Sequence, residues 1–247
     1  MLNSDIYNKM YIFLGVNGAG KSHLLLSTAR VLSAKGNNVL AIDTTKNQSM
    51  YSWFNYNYEL EDEQALHYLK PIVRSDIDIL ADNPTIHVKV DYKKLESYNL
   101  NSYDFILIEG DESTNDEWLS KANKIFLVVN SEKNNIHKLA KMMKEKSKYI
   151  DKKNLNIVFN QYLDSKLNKD YVYNKIIDSV DDKFSFIDST DIEIPFDSND
   201  MITTQNNKMD GKIGLNNYSY DYKSGIFELV NFITPLSSKE FKNLKVK

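Results

Sequence analysis

The sequence predicts an α/β domain, doubly wound, with a mainly parallel sheet and helices on both faces. Three observations lead there. Short apolar runs of strand length recur along the chain. Segments with helical spacing alternate with them. A glycine-rich stretch, GVNGAGKS at 15–22, lies between the first run and the first helix.

The elements follow in order. MYIFLGV, from residue 10, is a short apolar run that meets a glycine and suits a buried strand. Residues 21–35 place Leu24, Leu25, Ala29, Val31 and Leu32 near helical spacing, and Gly36 stands where a helix ends. NVLAID (38–43) is a second buried strand, which completes a βαβ unit. YDFILIEGDEST (103–114) is a strand that runs into acids, and KIFLVVN (124–130) is another. Residues 134–150 form a helix with Ile136, Leu139, Met143 and Ile150 on one face, and LNIVFN (155–160) is a further strand. Residues 226–233 form a closing helix that Pro235 ends. Between these, 51–100 should hold a helix or two and a peripheral strand or hairpin around IDILADNPTIHVKV. Residues 198–222, rich in Asn, Asp and Tyr, should be dominated by loops. No repeat or hinge-like linker interrupts the chain, so 1–236 reads as one nucleotide-binding domain, with 237–247 as a basic, flexible tail.

Composition narrows the chemistry. The 247 residues are 42% apolar, enough for a sizeable core. With no cysteine, the chain has no disulfide framework, thiolate metal site or cysteine nucleophile, which suits a reducing cytoplasm. No apolar run reaches membrane-spanning length, and MLNSDIYNKM does not read as a secretory signal. A net charge of −3 draws the molecule to neither nucleic acid nor anionic lipid, so any such affinity must be local.

GVNGAGKS matches the phosphate-binding pattern G-x-x-x-x-G-K-[ST]. Gly15, Gly18 and Gly20 let the backbone bend until successive N–H groups, those of Val16, Asn17 and Ala19 among them, face phosphate oxygens. The helix that follows aims its positive end at the same point. Lys21 neutralises the β- and γ-phosphates, and Ser22 offers a hydroxyl to Mg2+. His23, next in line, contacts the same region. In an open parallel sheet the remainder of such a site lies at the C-terminal ends of the strands. Asp43 ends one strand; Glu109 and Asp111 follow another. These carboxylates, with Lys21, are the candidates for catalysis, and Ser22, Asp43 and Glu109 are the candidates for holding the metal or orienting a water.

The order of these motifs resembles the ParA/MinD family of deviant P-loop ATPases. GVNGAGKSHLLLSTARVLSAKGNNVLAIDTT is similar to that family's P-loop, first helix and Asp-x-Asp strand, and YDFILIEGDEST to a later strand. NIVFNQ resembles the strand whose final Asn, here Asn160, reads adenine. IPFDSND resembles the turn that lines the base pocket, with Pro195 and Asp197. The resemblance spans about residues 9–200. It implies ATP and Mg2+ as cofactors, a nucleotide-dependent homodimer and a protein partner. It further implies a role in spatial organisation: DNA partitioning, or positioning of a pilus, secretion or conjugation machine. The site of action would be the cytoplasm, with recruitment to the nucleoid or the inner membrane face. The chain departs from the family at three points. The P-loop lysine that crosses to a partner's phosphates is replaced by Val16, the second Asp of Asp-x-Asp by Thr45, and the later strand's Asp by Glu109. Binding is retained and the apparatus for hydrolysis is depleted. The alternatives are an adaptor that binds but scarcely hydrolyses nucleotide, and a P-loop phosphotransferase.

Other features read more plainly. Lys138, Lys141, Lys144, Lys146 and Lys148 crowd one helix, which in this family can hold DNA non-specifically; here Glu145 interrupts them, and a solvated face is the simpler reading. SSKEFKNLKVK carries few large apolar residues for a membrane helix. YSYDY, with Tyr218, Tyr220 and Tyr222 alternating, suggests a local strand.

Overall fold

The computed structural model describes residues 4–53, 65–84, 90–180, 191–244 and 246. In chain order the helices are α1 (Ser4–Tyr7), α2 (Lys21–Ala34), α3 (Ala65–Tyr68), α4 (Tyr92–Glu96), α5 (Asp116–Lys121), α6 (Lys133–Lys146), α7 (Lys169–Ile177), α8 (Ser198–Met209), α9 (Tyr220–Ile233) and α10 (Ser238–Asn243). The strands are β1 (Met10–Leu14), β2 (Val39–Asp43), β3 (Ile72–Arg74), β4 (Ile77–Leu80), β5 (Phe105–Gly110), β6 (Lys124–Val129), β7 (Leu155–Tyr162) and β8 (Ile192–Pro195).

These strands form one sheet in the order β3-β4-β2-β5-β1-β6-β7-β8. Every pairing is parallel except β3 with β4, an antiparallel edge hairpin. β1 and β2 are buried along their whole length, as strands covered on both faces must be, and their unbroken apolar runs follow from that. The register is what positions the site. Phe13 and Asp43 both lie opposite Glu109, so β1, β2 and β5 end side by side. On the other flank Asn160 pairs with Ile194, and a register shift carries the pairing on to Tyr162 and Pro195.

α2 ends as the sequence predicts. Gly36, at φ 91°, follows it, with Gly36 N–H bonded to Ser33 O at 2.8 Å and Asn37 N–H to Leu32 O at 3.4 Å. α6 stops at Lys146 and passes into a 3₁₀ turn, Ser147–Tyr149. Ile136, Leu139, Met143 and Ile150 are buried, while Lys138, Lys141, Lys144 and Lys148 are exposed. Lys146 instead reaches Asp116 at 2.6 Å.

Two expectations are corrected. Residues 198–222 are not dominated by loops, because 198–209 form α8. Its sequence, SNDMITTQNNKM, has almost no apolar period, and Asp200 is its one buried residue. What holds it is its ends: Asp197 accepts from the N–H groups of Asn199 (2.7 Å) and Asp200 (3.2 Å), a cap worth about 1 kcal/mol, and Gly211 at φ 62° follows it. YSYDY is not a strand either. It opens α9, which starts earlier than residue 226 because Ser219 caps it, accepting from Tyr222 N–H at 3.1 Å. Tyr218 and Tyr222 stack at 4.5 Å, and Tyr220 points to solvent, so the alternation marks one side of a helix entry.

In 51–100 the peripheral hairpin is β3–β4, flanked by α3 and α4; the part of IDILADNPTIHVKV at 85–89 lies outside the described residues. The tail carries α10, closed by a Ser237–Glu240 capping box, with Phe241 against Phe227 at 5.3 Å and Leu215 N–H bonded to Val246 O at 3.1 Å. Among the described residues no helix is long and apolar enough to cross a membrane.

Candidate functional site

The glycine-rich stretch bridges β1 and α2 at the centre of the sheet. Its three glycines are all required, Gly18 by its φ of 81°. A Cβ on Gly15 would lie 2.6 Å from Val128 O, and Gly20 sits at φ 88° where a Cβ would come within 2.1 Å of Asn160 Nδ2. The backbone can take this path only without side chains there. Val16 and Ala19 are buried, Asn17 is exposed, and Asn130 Nδ2 donates to Gly18 O at 3.2 Å, which ties the loop to the end of β6.

Lys21 begins α2 and is buried with Ser22. Its ammonium donates to Val16 O at 2.9 Å and stands 3.8 Å from Glu109 Oε1. Glu109 is buried, hydrogen-bonded to the Ser22 side chain, and its Oε2 has no partner. Burial, and then the field of Asp43, raise its carboxyl to about 8. Asp43 is fully buried, and burial raises it to about 6. Both of its oxygens are committed. Oδ1 accepts from Thr45 N–H (2.9 Å) and Thr45 Oγ1 (2.6 Å), and Oδ2 accepts from Met50 N–H (3.0 Å). Asp43 therefore shapes the loop after β2. Asp111 is similarly engaged, by Ser113 N–H (2.8 Å), Ser113 Oγ (2.6 Å) and Lys46 N–H (3.2 Å). Of the three candidate carboxylates, Glu109 is the one with an unsatisfied oxygen beside the P-loop.

A cavity of about 370 Å³ opens over this floor. Gly18, Gly20, Lys21, Ser22, His23 and Glu109 line it, together with Asn160, Pro195 and Asp197. Most of the sequence-predicted residues thus converge; Gly15, Val16, Ala19, Asp43 and Asp111 do not line this cavity, and Val16 and Asp111 line a neighbouring one. Asn160, at the end of β7, is buried and donates from Nδ2 to Ala19 O at 2.8 Å. Asp197 serves chiefly as the cap of α8. His23 is held in a ladder of rings, 5.4 Å from Trp53, 4.7 Å from Tyr222 and 5.2 Å from Tyr218. Its Nε2 meets the hydroxyls of Tyr218 and Tyr222, each at 2.9 Å. Burial first, then the charge of Lys208, lowers its pKa to about 3, so the ring is neutral near pH 7.

Sequence reasoning missed Trp53, Tyr222 and Lys208, which complete the cavity wall. The caps Asp197 and Gly211 were the signal for α8; nothing local marks Trp53.

A scan against protein-family models finds no match, and a search of curated proteins finds none. Solved structures do match. McdA of Cyanothece, in an ATP complex, superposes with a TM-score of 0.63 at 12% identity, covering 93% of this chain and 98% of that one. The septum site-determining protein MinD of Pyrococcus horikoshii, with Mg-ADP, gives 0.60 at 20% identity over 94% and 97%. A plasmid partition protein of Borrelia burgdorferi bound to AMPPNP gives 0.56 at 15% identity over 89% and 96%. Strand order, central glycine-rich loop and these superpositions together show that the chain has the α/β fold of the ParA/MinD group of deviant P-loop ATPases.

Proposed function

We propose that this chain binds Mg-ATP at residues 15–22 and acts as a nucleotide switch in spatial organisation, with weak hydrolysis of its own. One observation carries the reading: the glycine-rich loop between β1 and α2 leads into buried Lys21 and Ser22, Lys21 stands 3.8 Å from Glu109 Oε1, and Glu109 Oε2 has no partner. A buried oxygen without a partner is costly, and a hydrated cation bound with the phosphates would satisfy it. Among the described residues no three acidic or imidazole groups form a self-sufficient metal site, so Mg2+ would be held by Ser22 and Glu109 together with the nucleotide. Asp43 supports that arrangement from behind. The metal would supply charge neutralisation at the phosphates.

The similar structures carry AMPPNP, Mg-ADP and ATP, which supports the ligand class. A MinC:MinD complex from Aquifex aeolicus, whose MinD is 20% identical to this chain over 92% of it, supports a protein partner. Homodimer formation with ATP and a role in partitioning or in positioning a machine rest on the same likeness.

Weak hydrolysis follows from the side chains. Phosphoryl transfer to water needs a carboxylate free to orient the water and cations around the γ-phosphate. Thr45 is a hydroxyl spent on Asp43 and Asp111 is spent on Ser113, which leaves Glu109 alone to meet both the metal and the attacking water. Each missing group in a preorganised site costs about 10² to 10³ in rate. Calorimetry tests the binding: Lys21→Ala, folded, should lose Mg-ATP affinity severely, and unchanged affinity would refute the site. Phosphate release tests the rest. Brisk turnover by the unmodified protein that Glu109→Gln abolishes would show an ordinary ATPase.

A further inference from the structure

We infer that Lys208, on α8, is a second cation that this chain itself brings to the terminal phosphate of a bound nucleoside triphosphate. The inference rests on the nucleotide reading above and assigns a residue that makes the site prefer a triphosphate.

The cavity wall contains three basic side chains among the described residues: Lys21, His23 and Lys208. His23 is uncharged. Lys21 alone leaves the negative charge of a magnesium-bound triphosphate unbalanced. The P-loop adds none, because Val16 is aliphatic and buried. Lys208 is the remaining source.

Its placement is built. Asp200, Thr204 and Lys208 fall on one face of α8, at i, i+4 and i+8, and all three line the cavity. That face is fastened to the rest of the molecule at several points. Asp200 accepts from Ser219 N–H (2.7 Å) and Ser219 Oγ (2.6 Å). Thr204 Oγ1 lies 3.2 Å from the Tyr218 hydroxyl and 3.4 Å from His23 Nε2, and Asn207 Nδ2 donates to the Tyr218 hydroxyl at 3.3 Å. The Lys208 ammonium rests over the Trp53 ring, 5.4 Å from its centroid, and Trp53 stacks on His23 in the first turn of α2. A ladder from Lys208 through Trp53 to His23 thus links α8 to the start of the P-loop helix.

The ammonium is partly buried, and among the described residues no carboxylate lies within ion-pair distance of it. Burial lowers its pKa, and the opposing influence is the field of Glu109. What ties it to the phosphate-binding segment is position: it shares the cavity with Lys21, Ser22 and Glu109, and through Trp53 it reaches His23, the residue after Ser22. A partly desolvated cation with no anionic partner gains by meeting one, and the terminal phosphate is the anion that the proposed nucleotide would bring into this cavity.

Calorimetry with Mg-ATP and Mg-ADP separates the two ideas. Binding of either nucleotide by the unmodified protein, lost in Lys21→Ala, tests the site; the ratio of the two affinities tests Lys208. Lys208→Ala and Lys208→Gln should each weaken Mg-ATP by about ten- to a hundredfold, the size of a charged hydrogen bond, and leave Mg-ADP within about twofold. Lys208→Arg should retain most of the preference, and Lys148→Ala, an exposed lysine just after α6, should change nothing. Unchanged ATP affinity in both neutral variants, or equal losses of ATP and ADP, would overturn the inference while leaving nucleotide binding intact. Failure of the unmodified protein to bind any nucleotide would overturn the reading beneath it.

Discussion

Asn160 closes the glycine-rich loop from across the sheet: its Nδ2 donates to the carbonyl of Ala19 at 2.8 Å, from 141 residues further along the chain. Both groups are buried, so the bond is sheltered from water. The glycine-rich loop and the end of β7 are thereby tied together. One amide N–H is used in this bond. In the proposed nucleotide site, the amide carbonyl and the second N–H would be left for an adenine edge.

Asn160→Ala should therefore act on stability and on base choice together. Leaving the Ala19 carbonyl unpaired costs about 1–3 kcal/mol, or several degrees in melting temperature. Discrimination between ATP and GTP should shrink as well. A variant with normal stability and the original preference would show that this contact is incidental. Thermal denaturation and competition binding measure the two effects separately.

Gly20→Ala should be severe. The residue sits at φ 88°, which costs a non-glycine residue roughly 1–2 kcal/mol, and its new Cβ would collide with Asn160 Nδ2. The loop and Asn160 cannot both keep their places. The expected result is a lower melting temperature and at least a tenfold loss of Mg-ATP affinity. Wild-type affinity in this variant would mean that the loop accommodates a side chain that the geometry forbids.

Restoring a carboxylate at residue 45 should destabilise the protein when no metal is present. Thr45 Oγ1 lies 2.6 Å from Asp43 Oδ1, and Asp43 has no exposure to water. Two carboxylates some 4 Å apart repel by on the order of 4 kcal/mol at an effective dielectric near 20. Thr45→Asp should therefore melt early in chelator and recover with Mg-ATP more than the unmodified protein does. Differential scanning calorimetry with and without Mg-ATP decides this; equal melting temperatures in chelator would count against it.

The buried pair Asp43 and Glu109 gives stability a pH dependence of definite sign. Burial raises the two carboxyls to about 6 and about 8, while unfolded carboxyls titrate near 4. The folded state therefore holds these protons more tightly. The pair's contribution is fully present below about pH 4 and is lost as pH rises through 6 and then 8. In chelator, the melting temperature of the unmodified protein relative to Glu109→Gln should fall by several degrees between pH 6 and pH 9, since each kcal/mol shifts a chain of this size by about 2–4 °C. Parallel profiles for the two proteins would refute the assignment.

What the sequence determined by itself was whatever is local. The glycine-rich loop, Lys21 and Ser22 lie within one short stretch, where backbone permissiveness and a following helix suffice to make a phosphate cradle. β1, β2, β5, β6 and β7 were legible because strands buried on both faces must be continuously apolar. The tertiary structure decided which distant residues meet that cradle. Register across β2 and β5 sets Asp43 beside Glu109 and makes both buried; Asp43 becomes a loop-shaping group, and Glu109 keeps the oxygen without a partner. Helix α8 was invisible to periodicity because capping and polar fastening hold it in place of an apolar stripe. Trp53 and Lys208 reach the cavity only because chain segments far apart in sequence are brought together over it, and no local pattern encodes that convergence.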